Sequence, residues 1–349
     1  MATTDRYVRL LVGGLAVLLV GTLVVAGSTS AVSFSAYNAA WDGATDLQDI
    51  AETTEVDFST TTEVSRYANE TDALVIILSP DTAYSAAEQE QIRRFLAAGG
   101  TVVVAEDFNP HTNDLLAGVG SSSRIDGRLL RDETEYYRSP NISVATKVEN
   151  RSVLSGVERL TLNHGTAVRS GNATVLARSS EYAYLDSDRD YALDTDETLR
   201  ARPVVTREEI GNGTLVVVSD PSIFINAMAD RPGNRHFARN LFDSHSQVFL
   251  DYSHTSSVPP LVSALLWLRT TVVAQLLVGL VGLVGIRVAT HHRDAIDDLL
   301  TSAPRDGSEV DDQALTRYVH GRNPEWNQSR LRKLMAGVMN DGPKEEDND

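Results

Sequence analysis

Two long apolar runs, one near each end, frame the hydrophobic pattern of the chain. The first extends from Leu10 to Ala31 and the second from Ala264 to Val288. Because a helix needs about 20 mostly apolar residues to cross a bilayer, both runs predict transmembrane helices. The alternative for the first run is a cleaved signal peptide, since small residues such as Gly27 and Ser28 follow its core. Both interpretations place the following chain outside the cytoplasm.

Basic residues set the orientation of the two predicted helices. Arg6 and Arg9 precede the first run, whereas Arg287 and Arg293 follow the second. Since basic residues concentrate on the cytoplasmic side, we expect a multi-pass protein of the cell membrane with both termini in the cytoplasm. The predicted parts are a cytoplasmic N-terminus at 1–9, helices at 10–31 and 264–288, an extracytoplasmic domain at 33–258, and a cytoplasmic tail at 289–349 with two short helices and a disordered acidic end.

Between the two apolar runs, short buried-strand patterns alternate with helical ones. Asp72 to Ser79 and Thr101 to Ala105 are apolar strands, and Ser85 to Ala98 has helical spacing with Ser85 placed to cap against Glu88. A strand, a helix and a strand with short connections predict parallel pairing, and therefore an α/β domain with a doubly wound, mostly parallel sheet. A third buried strand is expected at 214–219, a further strand at 55–59, further helices from Ala44, Asn113 and Pro221, and an inserted β-rich region at about 125–210.

The chain is strongly acidic, and nearly all of its basic residues are arginine rather than lysine. The formal net charge is -17, and Lys147, Lys333 and Lys344 are the only lysines. Such a surface repels phosphate backbones, so nucleic acid is not expected as a partner. Strong screening at high salt would remove the mutual repulsion of the carboxylates, which favours a halophilic protein over an acidic mesophile.

Three segments of the chain resemble a known family. They read ILSPDTAYSAAEQEQIRRFLAAGGTVVVAEDF (77–108), LTLNHGTAV (160–168) and VVVSDPSIFIN (216–226). Together they are similar to the domain of unknown function family 4350, in its membrane-anchored haloarchaeal type, over about residues 38–253. The resemblance implies a class I glutamine-amidotransferase-like fold, which also occurs in auxiliary subunits of ABC exporters and in flagellar-transport scaffolds.

The chain contains no cysteine. Amidotransferases attack glutamine with a cysteine thiolate, so the implied fold is expected here without that chemistry. Disulfides and zinc–thiolate sites are excluded for the same reason. The predicted fold alone does not establish an activity.

Acidic and polar residues follow three of the predicted parallel strands. Ligands of open α/β sheets bind beyond the carboxyl ends of such strands, so these side chains predict a ligand rim for a cation, a sugar or a peptide. The alternative is that the aspartates only cap the helices that follow. The candidate rim residues are Asp81, Glu106, Asp107, His164, Asp220, Ser222 and Asn226.

A hydrolase triad of His164, Asp220 and either Ser222 or Ser219 is a weaker hypothesis. No G-x-S-x-G elbow is present, and Pro221 suits helix initiation better than nucleophile display. We therefore expect His164 to be a structural histidine beside Gly165.

One acidic segment has the spacing of an EF-hand calcium loop. Tyr191 occupies the sixth position, where glycine is expected, and the flanks resemble strands rather than helices. The alternative is a solvated acidic hairpin tip. As a calcium site, its ligands would be Asp186, Asp188, Asp190, Ala192 through its carbonyl, Asp194 and Glu197.

From the sequence we predict an extracytoplasmic, membrane-anchored, non-catalytic module for binding or assembly, with calcium as the one candidate cofactor. Its partners would be the lipid bilayer and other proteins of a membrane assembly. The alternative is a hydrolase that acts on peptides or glycans through the acidic rim. A deep pocket with a shifted carboxylate pair would favour the enzyme, and a shallow rim would favour binding.

Overall fold

The computed structural model describes residues 32–255 as a continuous stretch, together with Ser30 and isolated positions on either side. Most of the two predicted spanning segments and the whole predicted tail lie outside the described residues. Within the described part, no helix combines the length and the apolar character needed to cross a bilayer. Contacts divide the chain into two units, and the continuous stretch belongs to the unit Gly13–Val272.

The described stretch is rich in strands. In chain order they are β1 (Asp57–Thr61), β2 (Ala73–Leu78), β3 (Thr101–Ala105), β4 (Arg124–Ile125), β5 (Leu129–Asp132), β6 (Tyr136–Tyr137), β7 (Ser139–Ala145), β8 (Lys147–Val148), β9 (Leu160–Thr161), β10 (Val168–Arg169), β11 (Thr174–Arg178), β12 (Ala183–Asp186), β13 (Pro203–Ile210), β14 (Gly213–Val218) and β15 (Gln247–Asp251). The helices are α1 (Asp46–Thr54), α2 (Ala86–Ala97), α3 (His111–Gly118), α4 (Asn226–Ala229) and α5 (Asn234–Asp243), with 3₁₀ turns at Val64–Arg66, Ser152–Leu154 and Pro221–Phe224.

The central sheet has eight strands in the order β1-β15-β2-β3-β14-β13-β11-β8. The neighbours from β1 to β14 pair in parallel, and those from β14 to β8 pair antiparallel. Strand β2 is buried along its whole length, as expected when both faces of a parallel sheet are covered. The remaining strands, β4–β7, β9, β10 and β12, form small antiparallel sheets.

Two cores form on opposite faces of the sheet. Leu74 and Ile76 of β2 pack in one core, together with Leu47 of α1 and Phe237 of α5. The alternate residues Val75 and Ile77 pack in the other core with Phe95 of α2 and Leu115 of α3. Because successive side chains of a strand point to opposite faces, one apolar run supplies both cores. The expected α/β architecture with a mostly parallel sheet is confirmed.

Some of the predicted helix starts agree with the structure and others do not. The capping box of Ser85 and Glu88 is present, and Ser85 accepts the Glu88 backbone N–H at 3.3 Å. Helix α3 begins at His111 rather than at Asn113, because Asn109 accepts the His111 N–H and starts the turn earlier. The helix expected from Pro221 is only a 3₁₀ turn, since the chain becomes extended again at Ile225.

Candidate functional site

The carboxyl ends of the parallel strands meet at one edge of the sheet. Pairing places Ala105 of β3 level with Leu78 of β2 and with Val218 of β14. Side chains that follow these positions therefore share one edge, as the sequence predicted. Three fully or almost fully buried carboxyl groups lie along it, namely Asp251, Glu106 and Asp220.

Glu106 organises the loop that follows β3, here called the 106–109 loop. Its Oε1 accepts the backbone N–H groups of the next three residues at 2.8, 3.1 and 3.0 Å. Thr112 donates its hydroxyl to Oε2 at 2.9 Å, and Ser79 donates to Oε1 at 3.3 Å. Burial raises the pKa of Glu106 to about 7, although these donors oppose the shift. Glu106 thus acts as the internal anchor of the loop.

Asp220 connects the segment that follows β14 to the segment at Asn163. It is fully buried and accepts the backbone N–H groups of Ser222, at 2.7 Å, and of Asn163. Burial raises the pKa of the Asp220 carboxyl to about 8. The Ser222 contact is the capping interaction that the sequence offered as the alternative to a ligand rim. The Asn163 contact was not foreseen, because it joins residues far apart in sequence.

His164 follows Asn163, whose backbone N–H donates to Asp220, but the described contacts of the His164 ring are with other residues. Its ring nitrogens contact Asn141 Nδ2 at 3.1 Å and Asn163 Oδ1 at 3.0 Å. The side chain is exposed, and the backbone adopts a φ of 58°. A Cβ on Gly165 would come within 2.9 Å of the Asp220 Cβ, so the tight turn needs glycine there. The described contacts do not assemble a triad from His164, Asp220 and Ser222.

The predicted calcium segment forms a loop between β12 and β13, here called the acidic loop (186–197). One carboxylate oxygen each from Asp186, Asp188 and Asp190 lies within 4.8 Å of the other two. Asp186 is buried and accepts the N–H groups of Arg189 and Tyr191 at 2.7 and 3.0 Å. These carboxylates therefore converge around the start of the loop.

The far side of the acidic loop is closed by Glu197. Its carboxylate accepts the N–H groups of Ser187 at 2.7 Å and of Asp194 at 3.2 Å. Repulsion, chiefly from Asp190, raises the pKa of Asp194. Ala192 donates its N–H to Asp190 at 2.8 Å. Asp194 and Glu197 thus belong to the same loop as the three clustered aspartates, but only those three form the close group.

The backbone of the acidic loop is left-handed at two positions. Arg189 has a φ of 62° and Tyr191 a φ of 68°. A bulky residue in this region is strained, and an EF-hand uses glycine at the position of Tyr191 for this turn. Tyr191 therefore has the positive φ that the motif requires at this position, although its bulky side chain disfavours that conformation. The flanking element on the β12 side is a strand, as expected, whereas β13 starts only at Pro203.

The acidic loop and the 106–109 loop are in contact. The Arg189 guanidinium carbon lies 4.3 Å from the centroid of the Phe108 ring. Burial raises the pKa of Asp107, and the charge of Arg189 opposes that shift. The sequence treated the rim and the calcium loop as separate features, whereas the structure brings them together.

Arg131 is a buried cation that sequence reasoning missed. It donates to the Tyr184 hydroxyl at 2.8 Å, to Asn141 at 2.6 Å and to Glu133 at 2.8 Å. Its guanidinium carbon also lies 5.3 Å from the centroid of the Tyr191 ring. Arg131 therefore connects the acidic loop to Asn141, which contacts His164. No periodic pattern in the sequence marks such a residue.

The other predicted rim residues have separate roles. Asn226 accepts the Asp46 N–H at 3.0 Å and donates to the backbone oxygens of Asn38 and Ala40, so it anchors the start of α1. Asp81 is exposed and its N–H donates to the His254 carbonyl at 2.8 Å. Neither residue is bonded to Glu106 or Asp220 in the described contacts.

Asp251 is a buried strand-end acid that the sequence analysis did not identify. It accepts the hydroxyls of Tyr67 and Tyr84 at 2.7 and 3.2 Å and the Ser253 N–H at 2.7 Å. Burial raises the pKa of its carboxyl. The apolar run before Asp251, in QVFLD, is the same strand-then-acid signal that precedes Glu106 and Asp220.

Comparisons with known proteins give one family. A family profile, the domain of unknown function DUF4350, matches residues 36–242. The comparison with curated proteins found no match.

Solved structures share only a general likeness with the chain. The mmIFT52 N-terminal domain is 17% identical, with 56% of this chain and 83% of that chain covered and a TM-score of 0.41. A cytoplasmic protein from Salmonella typhimurium is 11% identical, with 59% and 88% covered and a TM-score of 0.40. A beta-galactosidase from Bacillus circulans sp. alkalophilus is 17% identical, with 45% and 22% covered and a TM-score of 0.26.

Proposed function

The chain belongs to the DUF4350 family of domains of unknown function, and we propose that it is a non-catalytic module for binding and assembly, anchored in the membrane and displayed outside the cytoplasm. Its two apolar segments and their basic flanks support the anchoring and the orientation. The acidic, lysine-poor composition supports a halophilic setting. The parallel sheet with helices on both faces supports a glutamine-amidotransferase-like fold, used here without a cysteine nucleophile.

The observation that carries this proposal is the use of the strand-end carboxyl groups. Glu106 and Asp220 accept backbone N–H groups of their own loops, so they hold the edge of the sheet in shape. A general base or nucleophile needs its reactive atoms directed at a substrate instead. The edge is therefore better suited to present a rigid surface than to perform a proton transfer.

That surface consists of four side chains where the two loops meet, of which Phe108 is half-buried and the other three are exposed, and it is here called the contact surface: Phe108, Arg189, Tyr191 and Leu193. Tyr191 and Leu193 are 56% and 46% exposed, and Arg189 covers the Phe108 ring. Aromatic residues and arginine are enriched at the energetic centres of protein interfaces. Carboxylates of the acidic loop surround this centre, so the matching partner is a protein with an apolar pocket and a basic rim.

Site-specific photo-crosslinking of the full chain in its native membrane tests the contact surface. A photoreactive phenylalanine analogue replaces Tyr191, and Ala98, exposed at the opposite edge of the sheet, carries the same analogue as a control. We expect one discrete adduct from position 191 that Phe108→Ala abolishes, and none from position 98. Equal or diffuse labelling at both positions would contradict the proposal.

The orientation is testable separately, because the chain has no native cysteine. Thr195→Cys is in the exposed acidic loop, and Ser308→Cys is in the predicted tail. On intact cells, an impermeant maleimide should label the first and not the second. The opposite labelling would reverse the topology.

A hydrolase remains the second candidate, favoured by one observation. The pKa values of Glu106 and Asp220, about 7 and about 8, lie in the range of general acids. Full chain in detergent, incubated with peptide and glycan libraries, tests this candidate. Turnover that scales with protein and disappears in Asp220→Asn, with the fold intact, would favour the enzyme over the binding module.

We further propose that the acidic loop binds calcium as a structural ion. The close group of Asp186, Asp188 and Asp190 supports this assignment, and Asp194, Glu197 and the Ala192 carbonyl complete the motif in sequence. Bound calcium would offset the repulsion between these carboxylates. Since Arg189 and Tyr191 belong to the same loop, the ion would also stabilise the contact surface.

A further inference from the structure

A cavity of about 220 Å³ lies at the carboxyl end of β2, one strand away from the 106–109 loop. Its lining comes from the beginning of the described chain, from the end of β2, and from the segment after β15. Nine described residues line it, namely Val32, Ser33, Phe34, Ser35, Leu78, Ser79, Asp81, Tyr252 and Thr255. The cavity is distinct from the contact surface, none of whose residues lines it.

The lining favours an uncharged ligand rich in hydroxyl groups. Five of the nine described lining residues carry a hydroxyl, Asp81 adds a carboxylate that can accept hydroxyl protons, and none of the nine carries a positive charge, so an anionic ligand finds no counter-charge among them. The volume is below the 300–1,000 Å³ typical of sites for drug-sized ligands, which suggests a group of about monosaccharide or glycerol size. Leu78 and Phe34 supply apolar wall for the C–H face of such a group.

The hydroxyls offer both donors and acceptors. Ser33 donates to Asp42 at 2.8 Å and Ser79 donates to Glu106 at 3.3 Å, so each keeps its oxygen lone pairs as acceptors. Tyr252 accepts the Ala36 N–H, and its own proton can therefore be donated. Neighbouring donors and acceptors match the vicinal hydroxyls of a polyol, each of which both donates and accepts.

Two strained residues line the same cavity. Phe34 has a φ of 64° and Ser79 a φ of 40°. Such backbone conformations cost free energy in non-glycine residues and concentrate at ligand sites, where the surrounding structure holds them.

The cavity also lies where both apolar segments join the domain. Val32 directly follows the first predicted spanning segment, and Thr255 comes shortly before the second. We propose that the cavity binds a hydroxyl-rich, uncharged sugar or glycerol group close to the membrane surface. The membrane position rests on the anchoring proposed above, whereas the ligand class rests on the lining alone.

The test uses the full chain and its lack of native cysteine. Ser33→Cys places a reporter in the cavity wall, and Ala98→Cys is the matched exposed control. Maleimide labelling rates are measured in detergent with methyl glucoside or glycerol, and in nanodiscs with or without monoglucosyl diacylglycerol. Thr255→Cys serves as a second reporter if Ser33→Cys lowers the melting temperature.

We expect labelling at the cavity reporter to slow at least threefold at millimolar ligand, with no change at position 98. Ser79→Ala should raise several-fold the ligand concentration that is needed for this protection. Protection by methyl glucoside or glycerol identifies a soluble ligand, and protection only by the glycolipid identifies a headgroup. Unchanged labelling in every condition, or slowing only at molar sugar and equally at position 98, overturns the proposal. This outcome is independent of crosslinking at Tyr191, so the two proposals fail separately.

Discussion

The two loops that meet above the sheet edge are stabilised in opposite ways. In the 106–109 loop a single buried carboxylate, Glu106, receives donors from five groups. In the acidic loop several carboxylates crowd together, and three of them lie within 4.8 Å of one another. One loop thus gathers hydrogen-bond donors around a single carboxyl group, whereas the other brings several like charges close together.

Because of this difference, we expect the stability of the two loops to respond to different conditions, namely pH and cations. Buried carboxyl groups such as Glu106 and Asp220 couple folding to pH, because burial changes their proton affinity. Clustered, largely exposed carboxylates such as Asp188 and Asp190 couple folding to cations, because a bound cation relieves their repulsion. Through the contact of Arg189 with Phe108, a change in the shape of one loop can reach the other loop.

The largest expected effect is that of Glu106→Ala. The change removes the acceptor of three backbone N–H groups and of the Thr112 hydroxyl, and unsatisfied buried groups cost about 1–3 kcal/mol each. We expect the free energy of unfolding to fall by about 3 kcal/mol or more, measured by urea denaturation. Glu70→Ala, at an exposed position, should change it by about 0.5 kcal/mol or less. Similar values for the two variants would mean that Glu106 does not anchor the loop.

Calcium should produce the next largest effect. A strained loop without paired helices is expected to bind weakly, with a Kd of about 10⁻⁴–10⁻³ M as in extracellular modules. A hundredfold excess would then raise the free energy of unfolding by about 2.7 kcal/mol. The measurement is a melting curve of the full chain in high potassium chloride, with calcium or with chelator.

Asp188→Asn is the sharpest variant for the calcium prediction. In the ion-free loop Asp188 accepts only the Asp190 N–H, at 3.3 Å, in the described contacts, so the chelator curve should hardly change. The calcium-dependent increase should disappear. Asp196→Asn, an exposed neighbour outside the predicted ligand set, should keep it. A wild-type melting temperature that ignores millimolar calcium would show that the loop is only a solvated acidic tip.

The pH dependence of stability should follow Asp220. Its folded pKa of about 8 is above the ordinary value of 3.8, so between these values the folded state holds a proton that the unfolded state releases. Stability from this group is therefore present at low pH and decreases as pH rises towards 8, by at most about 1.4 kcal/mol per pH unit.

Urea denaturation from pH 5 to pH 8 checks this sign. Asp220→Asn keeps an oxygen acceptor and removes the titration, so its stability should decline less steeply with pH than that of the wild type. The difference between the two curves isolates Asp220 from the other carboxyl groups. Parallel curves would rule out Asp220 as the titrating group.

Local patterns predicted the parallel half of the sheet well. The apolar runs of β2, β3 and β14 are short, flanked by turns and buried on both faces, so periodicity and length identify them. The Ser85 cap was predictable because its partner Glu88 is three residues away. β15 carried the same signal, but neither this strand nor its acid, Asp251, was predicted.

The arrangement of the site could not be predicted in the same way. The Arg189–Phe108 contact and the Asp220–Asn163 bond join segments distant in sequence, and no local pattern encodes either of them. His164 is exposed beside Asn141 for the same reason, since a tertiary contact decides its position. Residue types and spacing indicated which groups are near strand ends, while tertiary packing determined which of them meet.

The smallest expected effect is the coupling between the two loops. A double-mutant cycle of Arg189→Met and Phe108→Leu isolates their cation–π contact, which should contribute about 0.5–1 kcal/mol at this exposed site. If calcium holds the acidic loop in the described shape, the coupling energy should be full in calcium and smaller in chelator. Arg189→Met with Leu193→Ala is the control cycle, because both residues belong to the acidic loop and no contact between them is described. A coupling energy near zero in both conditions would mean that the two loops are neighbours without energetic coupling. Calcium could not then act on the contact surface through Phe108.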